Sequence, residues 1–323
     1  MRSAKRNARV VLRRVLVALV GTTALYGLIS LHAQYQDVIR DSYTQAETVS
    51  VLLEEHAQST IDSIDQLIQR TRDRFASDGL RSYSEADWYD LRSLATTLAA
   101  VQALAVFDRE GRLMLTSRIY PAPDYSIADR DYYRDHRVRG LAFVLGPAVE
   151  GRTPMSKAFF TISRSVIGRD GSFQGLVVAV IDVSYFRQIY QRLNLGKHAA
   201  LALLRSDGAL LLREPFSPIL LRDGMIDRIR SWTLFTDYID RGITSGSYEG
   251  RTTSDGLART FAFRKLDRLP LVVLTMLAHE DAVAEMLPGI LRSAGLGATV
   301  LVFLLVLTAW SFPIIDSDDR AQQ

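Results

Sequence analysis

Residues 104–117 read LAVFDREGRLMLTS, and residues 201–214 read LALLRSDGALLLRE. Each is an apolar run, an acidic residue closely followed by glycine, and a second apolar run, the signature of two antiparallel strands joined by a tight turn. At an offset of 97 residues the two match in register: Leu104, Ala105, Gly111, Leu113 and Leu115 recur as Leu201, Ala202, Gly208, Leu210 and Leu212. About sixty residues after each hairpin begins comes another strand pair, Phe159–Asp182 and then Arg259–Ala278. The first of these contains ISRSVIGRDGSFQGLVVAVID (162–182), again strand, Asp-Gly turn, strand. Leucine and alanine are common and turns favour glycine, so the weight lies in the shared register. It predicts a duplicated α+β unit, with SYFRQIYQRLNLG (184–196) as the helix between the copies.

Upstream of the strands, residues 33 to about 76 contain neither proline nor glycine. Val49, Leu53, His56, Thr60, Ile64, Leu67, Thr71 and Phe75 recur there at helical spacing, which predicts one helix of about forty residues, roughly 60 Å long at 1.5 Å per residue. The chain is bracketed by two uncharged apolar runs, Val15–Leu31 and Gly295–Phe312. Both are long enough to cross a bilayer, and Trp310 stands where an interfacial ring would. The competing readings are a cleaved signal peptide and a buried core helix. Against them stand the length of the first run, the absence of a small-x-small cleavage site after it, and the lack of any charged face on the second.

The formal net charge of +3 raises the question of a phosphate-binding surface. Six of the 39 Lys and Arg residues (Arg2, Lys5, Arg6, Arg9, Arg13, Arg14) precede any acid, and the remaining 33 are outnumbered by 36 Asp and Glu. The positive charge is therefore a feature of the N-terminus, which argues against nucleic-acid binding. Cations before the first span place the N-terminus in the cytoplasm and residues 33–288 outside, in the periplasm of a bacterial inner membrane. The chain has no cysteine, which excludes disulfides, thiolate metal sites and a cysteine nucleophile. The five histidines show no metal-ligand spacing, and no cofactor is expected. GITSGSYEG (242–250) lacks the spacing of a nucleophile elbow and reads as a loop. No G-x-x-x-x-G-K-[ST] loop, GG-[DE]-EF motif or phosphoacceptor histidine box occurs, so no catalytic activity is expected. The ten residues after Pro313 are too few to fold, so on a complete chain no cytoplasmic domain is expected.

The segments SIADRDYYRDHR, GRTPMSKAFFTISRSV, DGSFQGLVVAVIDVSYFRQIYQRLNLG (170–196) and LALLRSDGALLLREP resemble the extracytoplasmic double Cache sensor, also described as tandem PAS-like domains, of bacterial diguanylate cyclases and some histidine kinases. The resemblance covers roughly residues 33–285. It implies an α+β fold in which a long N-terminal helix carries two tandem PAS-like antiparallel-sheet domains, flanked by two transmembrane helices. The expected division is a basic N-terminus (1–14), a first span (15–32), a stalk helix (33–80) and a membrane-distal domain (81–183). A connecting helix (184–196), a membrane-proximal domain (197–288), a second span (289–313) and a short tail (314–323) follow.

One cluster carries the expected chemistry. Residues 125–136 read YSIADRDYYRDH. In double Cache domains that bind amino acids, an arginine holds the ligand carboxylate, while aromatic rings and an aspartate on a later strand enclose and bind the amine. On that pattern fall Arg130, Tyr132 and Tyr133, with Tyr125 at a further tyrosine position; Lys157 and Arg164 occupy cation positions of the resembled cyclase sensors. Val180 stands where the amine-binding aspartate is expected, and Asp182 follows two residues on. A guanidinium pairs bidentately with a carboxylate and rings exclude water at little entropic cost. The other reading of the same residues is architectural: Asp129 caps a helix, Arg130 pairs with Asp131 or Asp135, and the tyrosines are core. The expected function is a membrane-anchored sensor of a small anionic ligand, a carboxylate or amino acid. It would form a homodimer through the long helix and signal to a separate cytoplasmic or membrane partner. The alternatives are a ligand-free dimerisation protein, or the sensor fragment of an interrupted cyclase or kinase.

Overall fold

The computed structural model describes residues 2–75, 83–149, 158–215, 225–252 and 255–317. Its contacts divide the chain into two units, one of residues up to 44 together with those from 278 onward, the other of residues 45–277.

The first unit holds the N-terminal part of α1 (Arg2–Phe75) and α6 (His279–Ser317). Span and stalk, expected as successive pieces, form one unbroken helix α1. Both α1 and α6 contain a segment long and apolar enough to cross a membrane.

The second unit is an α+β body. The buried stripe of α1 runs through Val49, Leu53, Ala57, Ile61, Ile64, Leu67, Ile68, Thr71 and Phe75. It passes through Ala57 and Ile61 where the sequence spacing placed His56 and Thr60; those two are half-buried at its flank. Two five-stranded antiparallel sheets pack on this helix, with orders β2-β1-β5-β4-β3 and β7-β6-β10-β9-β8. The first comprises β1 (Val101–Asp108), β2 (Leu113–Thr116), β3 (Phe143–Leu145), β4 (Phe159–Ile167) and β5 (Phe173–Asp182). The second comprises β6 (Ala200–Arg205), β7 (Leu210–Glu214), β8 (Ser245–Arg251), β9 (Ala258–Lys265) and β10 (Leu271–Ala278). Short helices complete the body: α2 (Glu85–Ala95), α3 (Asp131–Arg137), α4 (Val183–Gln191) and α5 (Met225–Arg230).

The 97-residue repeat is visible in the ladders. Ala105↔Thr116, Val106↔Leu115 and Phe107↔Leu113 in the first sheet correspond to Ala202↔Arg213, Leu203↔Leu212 and Leu204↔Leu210 in the second. Each ladder slips register at the same step, after Val106 and after Leu203, so even the bulge is repeated. One departure concerns residues 242–250, read from sequence as a loop: Ser245–Arg251 is β8, fully paired with β9. This edge strand holds two glycines and little apolar pattern, and an edge strand with one partner needs little.

Side-chain alternation gives each sheet two faces. Leu104, Val106, Val177, Ala179 and Ile181 of the first sheet, with Leu201, Leu203 and Val273 of the second, join α1 in one continuous core. The opposite face of the first sheet carries Ala105, Phe107, Leu176 and Val178 against Ile127 and Tyr133. That of the second carries Ala202, Leu204, Val272, Leu274 and Met276 against α5 and the Leu234–Tyr238 turn.

Candidate ligand site

The segment between β2 and α3 is tied down residue by residue. Leu113 N–H donates to Tyr125 O (2.8 Å), Ile127 N–H to Gly111 O (2.9 Å) and Arg130 N–H to Ile127 O (2.9 Å). Ile127 is fully buried as the anchor, and extended Arg130 is the N-cap residue of α3. This fixes the loop over the face of the first sheet turned away from α1. Beneath it lies a cavity of about 160 Å³, lined by Tyr125, Ile127 and Arg130 of the loop, by Asp131 and Tyr132 of the first turn of α3 and by Gly146, Pro147 and Val149 after β3. Ala105, Phe107, Phe159, Thr161, Val178 and Val180 form its floor. A cavity of about 150 Å³ admits benzene, so this one has room for a small organic ligand.

Among the described residues Arg130 is the cation that lines the cavity. Its side chain is one-quarter exposed, and its Nε lies 4.0 Å from Asp129 Oδ1, beyond hydrogen-bond distance. The acids that the architectural reading assigned to it are engaged elsewhere: Asp131 with Arg134 at 2.6 Å, Asp135 with Arg139 at 2.8 Å. A guanidinium so placed, above an apolar floor, can hold an anion with paired hydrogen bonds.

Of the residues singled out from sequence, Tyr125, Arg130 and Tyr132 line this cavity together. Tyr133, Arg164 and Asp182 do not. Tyr133 points into the core, where its hydroxyl donates to Arg109 O (2.8 Å) and accepts from Arg137 Nη1. Arg164 belongs to the other face of β4. Phe160, Ile162 and Val166 of that strand join the α1 core, and Arg164 follows their parity. Its Nε and Nη2 donate to the two carboxylate oxygens of Asp65 on α1, the second at 2.8 Å, and its guanidinium covers the Phe143 ring. The Asp65 hydrogen bonds raise the Arg164 pKa. Asp182 shares the parity of Val178 and Val180 but caps α4, its Oδ1 accepting from Ser184 N–H at 2.7 Å. Lys157 lies outside the described residues. Val180, at the position expected to hold an amine-binding aspartate, lines the cavity.

Sequence reading missed Thr161, Phe159 and the 146–149 loop. The first two follow from period-two parity once Val178 and Val180 are known to face the cavity, since Thr161 pairs with Val180. The loop carries no such signal. Buried His136 joins α3 to the segment ahead of β3 and to β4: its Nδ1 meets Leu141 O and its Nε2 lies 2.8 Å from Ser163 Oγ. A carbonyl only accepts, so Nδ1 carries the proton and Nε2 accepts from the serine hydroxyl. Burial lowers the His136 pKa, in keeping with that neutral tautomer.

Among the described residues no group of acids and histidines could hold a metal ion. A family model described as the Cache domain matches residues 31–286. Comparison with curated proteins gives no match. Among solved structures, the extracellular domain of the putative histidine kinase rpHK1S-Z16 is similar with a TM-score of 0.64 at 30% identity, over 74% of this chain and 95% of that one. The ligand-binding domain of the Pseudomonas fluorescens chemoreceptor CtaA, in complex with L-isoleucine, superposes with a TM-score of 0.55 at 14% identity, covering 78% of this chain and 98% of its own. The PctB amino-acid chemoreceptor domain of Pseudomonas aeruginosa PAO1, in complex with L-Arg, gives 0.56 at 17% identity, covering 83% and 99%. With a match across 31–286 and two repeated sheets on one helix, the chain belongs to the Cache domain family, in the double Cache form found in extracytoplasmic sensors.

Proposed function

We propose that this chain is a membrane-anchored extracytoplasmic sensor that binds a small carboxylate in the Arg130 cavity and passes the binding event to a signalling partner. The observation that carries this reading is Arg130 itself, a cation lining a cavity while Asp131 and Asp135 are paired with other arginines. The similar chemoreceptor domains solved in complex with L-isoleucine and L-Arg support a small-molecule ligand. The cavity departs from an amino-acid site at one wall. Val178 and Val180 offer an ammonium group nothing, and the one lining carboxylate among the described residues, Asp131, is engaged by Arg134. Organic acids without an amine are therefore favoured over α-amino acids.

Anchoring is supported by the two apolar helices and by the six N-terminal cations. In their apolar segments Val17, Leu25, Leu28 and Ile29 of α1, with Leu296, Val300 and Phe303 of α6, are exposed. Lipid is the medium that suits such surfaces. Transmission would use the sheet as a diaphragm. Ligand meets Thr161 and Phe159 on one face of β4, and Phe160, Ile162 and Arg164 meet α1 on the other. A ligand preferring one packing of sheet on helix would bias α1, and through it a homodimer or a separate partner.

The test is a thermal-shift screen of the full chain in detergent against organic acids and amino acids, on wild type and Arg130→Ala together. A carboxylate should raise the wild-type melting temperature, and the variant should weaken that ligand by about 2 to 5 kcal/mol, the range for truncating one partner of a buried charged pair. Without ligand, the variant should melt within a degree or two of wild type. A destabilised variant and no carboxylate effect in the wild type would return the cluster to architecture.

A further inference from the structure

We propose that the second sheet carries a ligand site of its own, one that takes a planar, ring-bearing carboxylate. The site is the topological counterpart of the Arg130 cavity and is independent of it. In the first sheet Ala103 pairs with Val180; in the second, Ala200, the residue 97 positions later, pairs with Met276. Met276 thus occupies the place of Val180, and both residues line cavities on the face turned away from α1. The second cavity measures about 240 Å³. Benzene occupies a cavity of about 150 Å³, so a benzene-sized ring bearing a carboxylate fits.

The lining defines the ligand class. Trp232, Tyr248, Phe261 and Met276 supply an apolar, largely aromatic wall. Tyr248 and Phe261 stack in parallel at 4.8 Å with a 2° tilt, so their flat surface is set before any ligand arrives. Two cations on separate elements line the same space, Arg228 from α5 and Arg251 from the end of β8. Neighbouring arginines have their charge met: Arg230 by Asp240 at 2.8 Å, Arg241 by Asp237 at 3.4 Å and Arg259 by Asp255 at 2.7 Å. Among the described residues Arg228 and Arg251 are in no ion pair, and Arg251 Nη1 spends one donor on Gly256 O at 3.1 Å. Among the described residues no acid lines the cavity, so an ammonium group finds no partner in them, whereas a carboxylate finds two guanidinium groups. Ring against ring and carboxylate against arginine is the complementarity that this surface offers.

Trp232 allows the site to be read directly. In the full chain in detergent, Trp88 and Trp310 are replaced by Phe so that Trp232 is the sole indole. The probe is 4-nitrobenzoate, whose ring quenches indole emission on contact; neutral 4-nitrobenzyl alcohol is the control for charge. The expected result is saturable quenching by the carboxylate, at least about tenfold weaker for the alcohol and for Arg228→Ala/Arg251→Ala, since hydrogen bonds to charged groups have that worth. Arg130→Ala should leave the curve unchanged, which separates this site from the first. Quenching that rises linearly without saturation would overturn the proposal, as would equal affinity for the alcohol. The alcohol comparison uses unaltered arginines and so does not depend on how the double variant folds. Should the double variant keep its far-ultraviolet circular dichroism and bind as tightly as its parent, the arginine assignment fails.

Discussion

On β4 the side chains of Thr161 and Arg164 stand on opposite faces of the sheet, because strand side chains alternate with a period of two. Thr161 faces the cavity, and Arg164 reaches Asp65 on α1. Replacing Arg164 with alanine should therefore cost about 2 kcal/mol of stability, the value of charged hydrogen bonds in a partly buried pair, and should leave the affinity of a carboxylate for the Arg130 cavity within about twofold. Denaturant unfolding and ligand titration of the same variant check both. Arg130→Ala should show the opposite pattern. His136 gives a pH dependence with a definite sign. Burial lowers its pKa below 6.5 in the folded chain, so below that pH the unfolded state takes up a proton that the folded state refuses. Stability should be at its full value above about pH 6.5 and fall below it. The loss between pH 7.5 and 5.5 should be smaller in His136→Gln; an equal loss would place the sensitivity elsewhere, half-buried His56 being the other histidine with a lowered pKa. That Tyr125, Arg130 and Tyr132 share a cavity was legible in the sequence, because a loop and the first turn of the short helix it leads into need no parity argument to face one space. Arg164 was not: a motif states which residue is present, and only the register of β4 states which way it points.

At the scale of elements, the Asp-Gly and Glu-Gly turns and the 97-residue offset were readable because hairpins are local and their turn chemistry is strict. Gly111 and Gly208 hold the same place in the two hairpins, with φ of +80° and +92°. At Gly111 an added Cβ would lie 3.0 Å from the Tyr133 ring and 3.2 Å from Ala128 N; at Gly208 it would lie 2.7 Å from Arg230 Cγ, part of a flexible side chain. Both Gly→Ala changes should destabilise the fold by roughly 1 to 3 kcal/mol through the left-handed backbone alone. Only Gly111→Ala should also weaken a ligand of the Arg130 cavity, because Tyr133 and Ala128 belong to the segment that carries Arg130. Equal effects on ligand affinity would separate the turn from the site. The strand β8 was unreadable for the converse reason, since SGSYEGR has neither apolar alternation nor β-branched residues and pairs only because β9 offers an edge. The acids of α1 were equally silent. Asp65 accepts from Arg164 of the first sheet and Glu54 from Arg264 of the second, eleven residues or about three turns apart. Asp62 adds Arg268 at 2.9 Å. On a helix such residues read as a solvated flank, and nothing local announces that each sheet brings an arginine to meet it.

For the molecule as a whole, the question is which side of a membrane the sheets face. On the proposed anchoring, charge is the argument for the side: six cations and no acid precede the first apolar segment, and moving them across a bilayer opposes both the membrane potential and the insertion bias for Lys and Arg. On the proposed two-span topology the second apolar helix returns the chain to the starting side, and residues 33–288 lie outside. The 168–172 turn between β4 and β5 is a suitable probe point, being an exposed turn closed by its own hydrogen bonds, Gly168 N–H to Ser172 O at 2.8 Å and Gly171 N–H to Gly168 O at 3.0 Å. A reporter active only in the periplasm should give signal when inserted at Asp170 and none when joined after Gln323; a cytoplasm-only reporter should give the converse. The reversed pattern would put the Arg130 cavity on the cytoplasmic side and remove the case for an extracytoplasmic sensor. Signal from the periplasmic reporter at both positions would mean that only one of the two helices spans the membrane. Neutralising the six N-terminal cations should blur the asymmetry without disturbing the sheets, because the body of residues 45–277 contains none of those residues. On the proposed reading, orientation and fold rest on separate parts of this chain, so a variant with inverted orientation should bind a carboxylate in the Arg130 cavity as tightly as the wild type does.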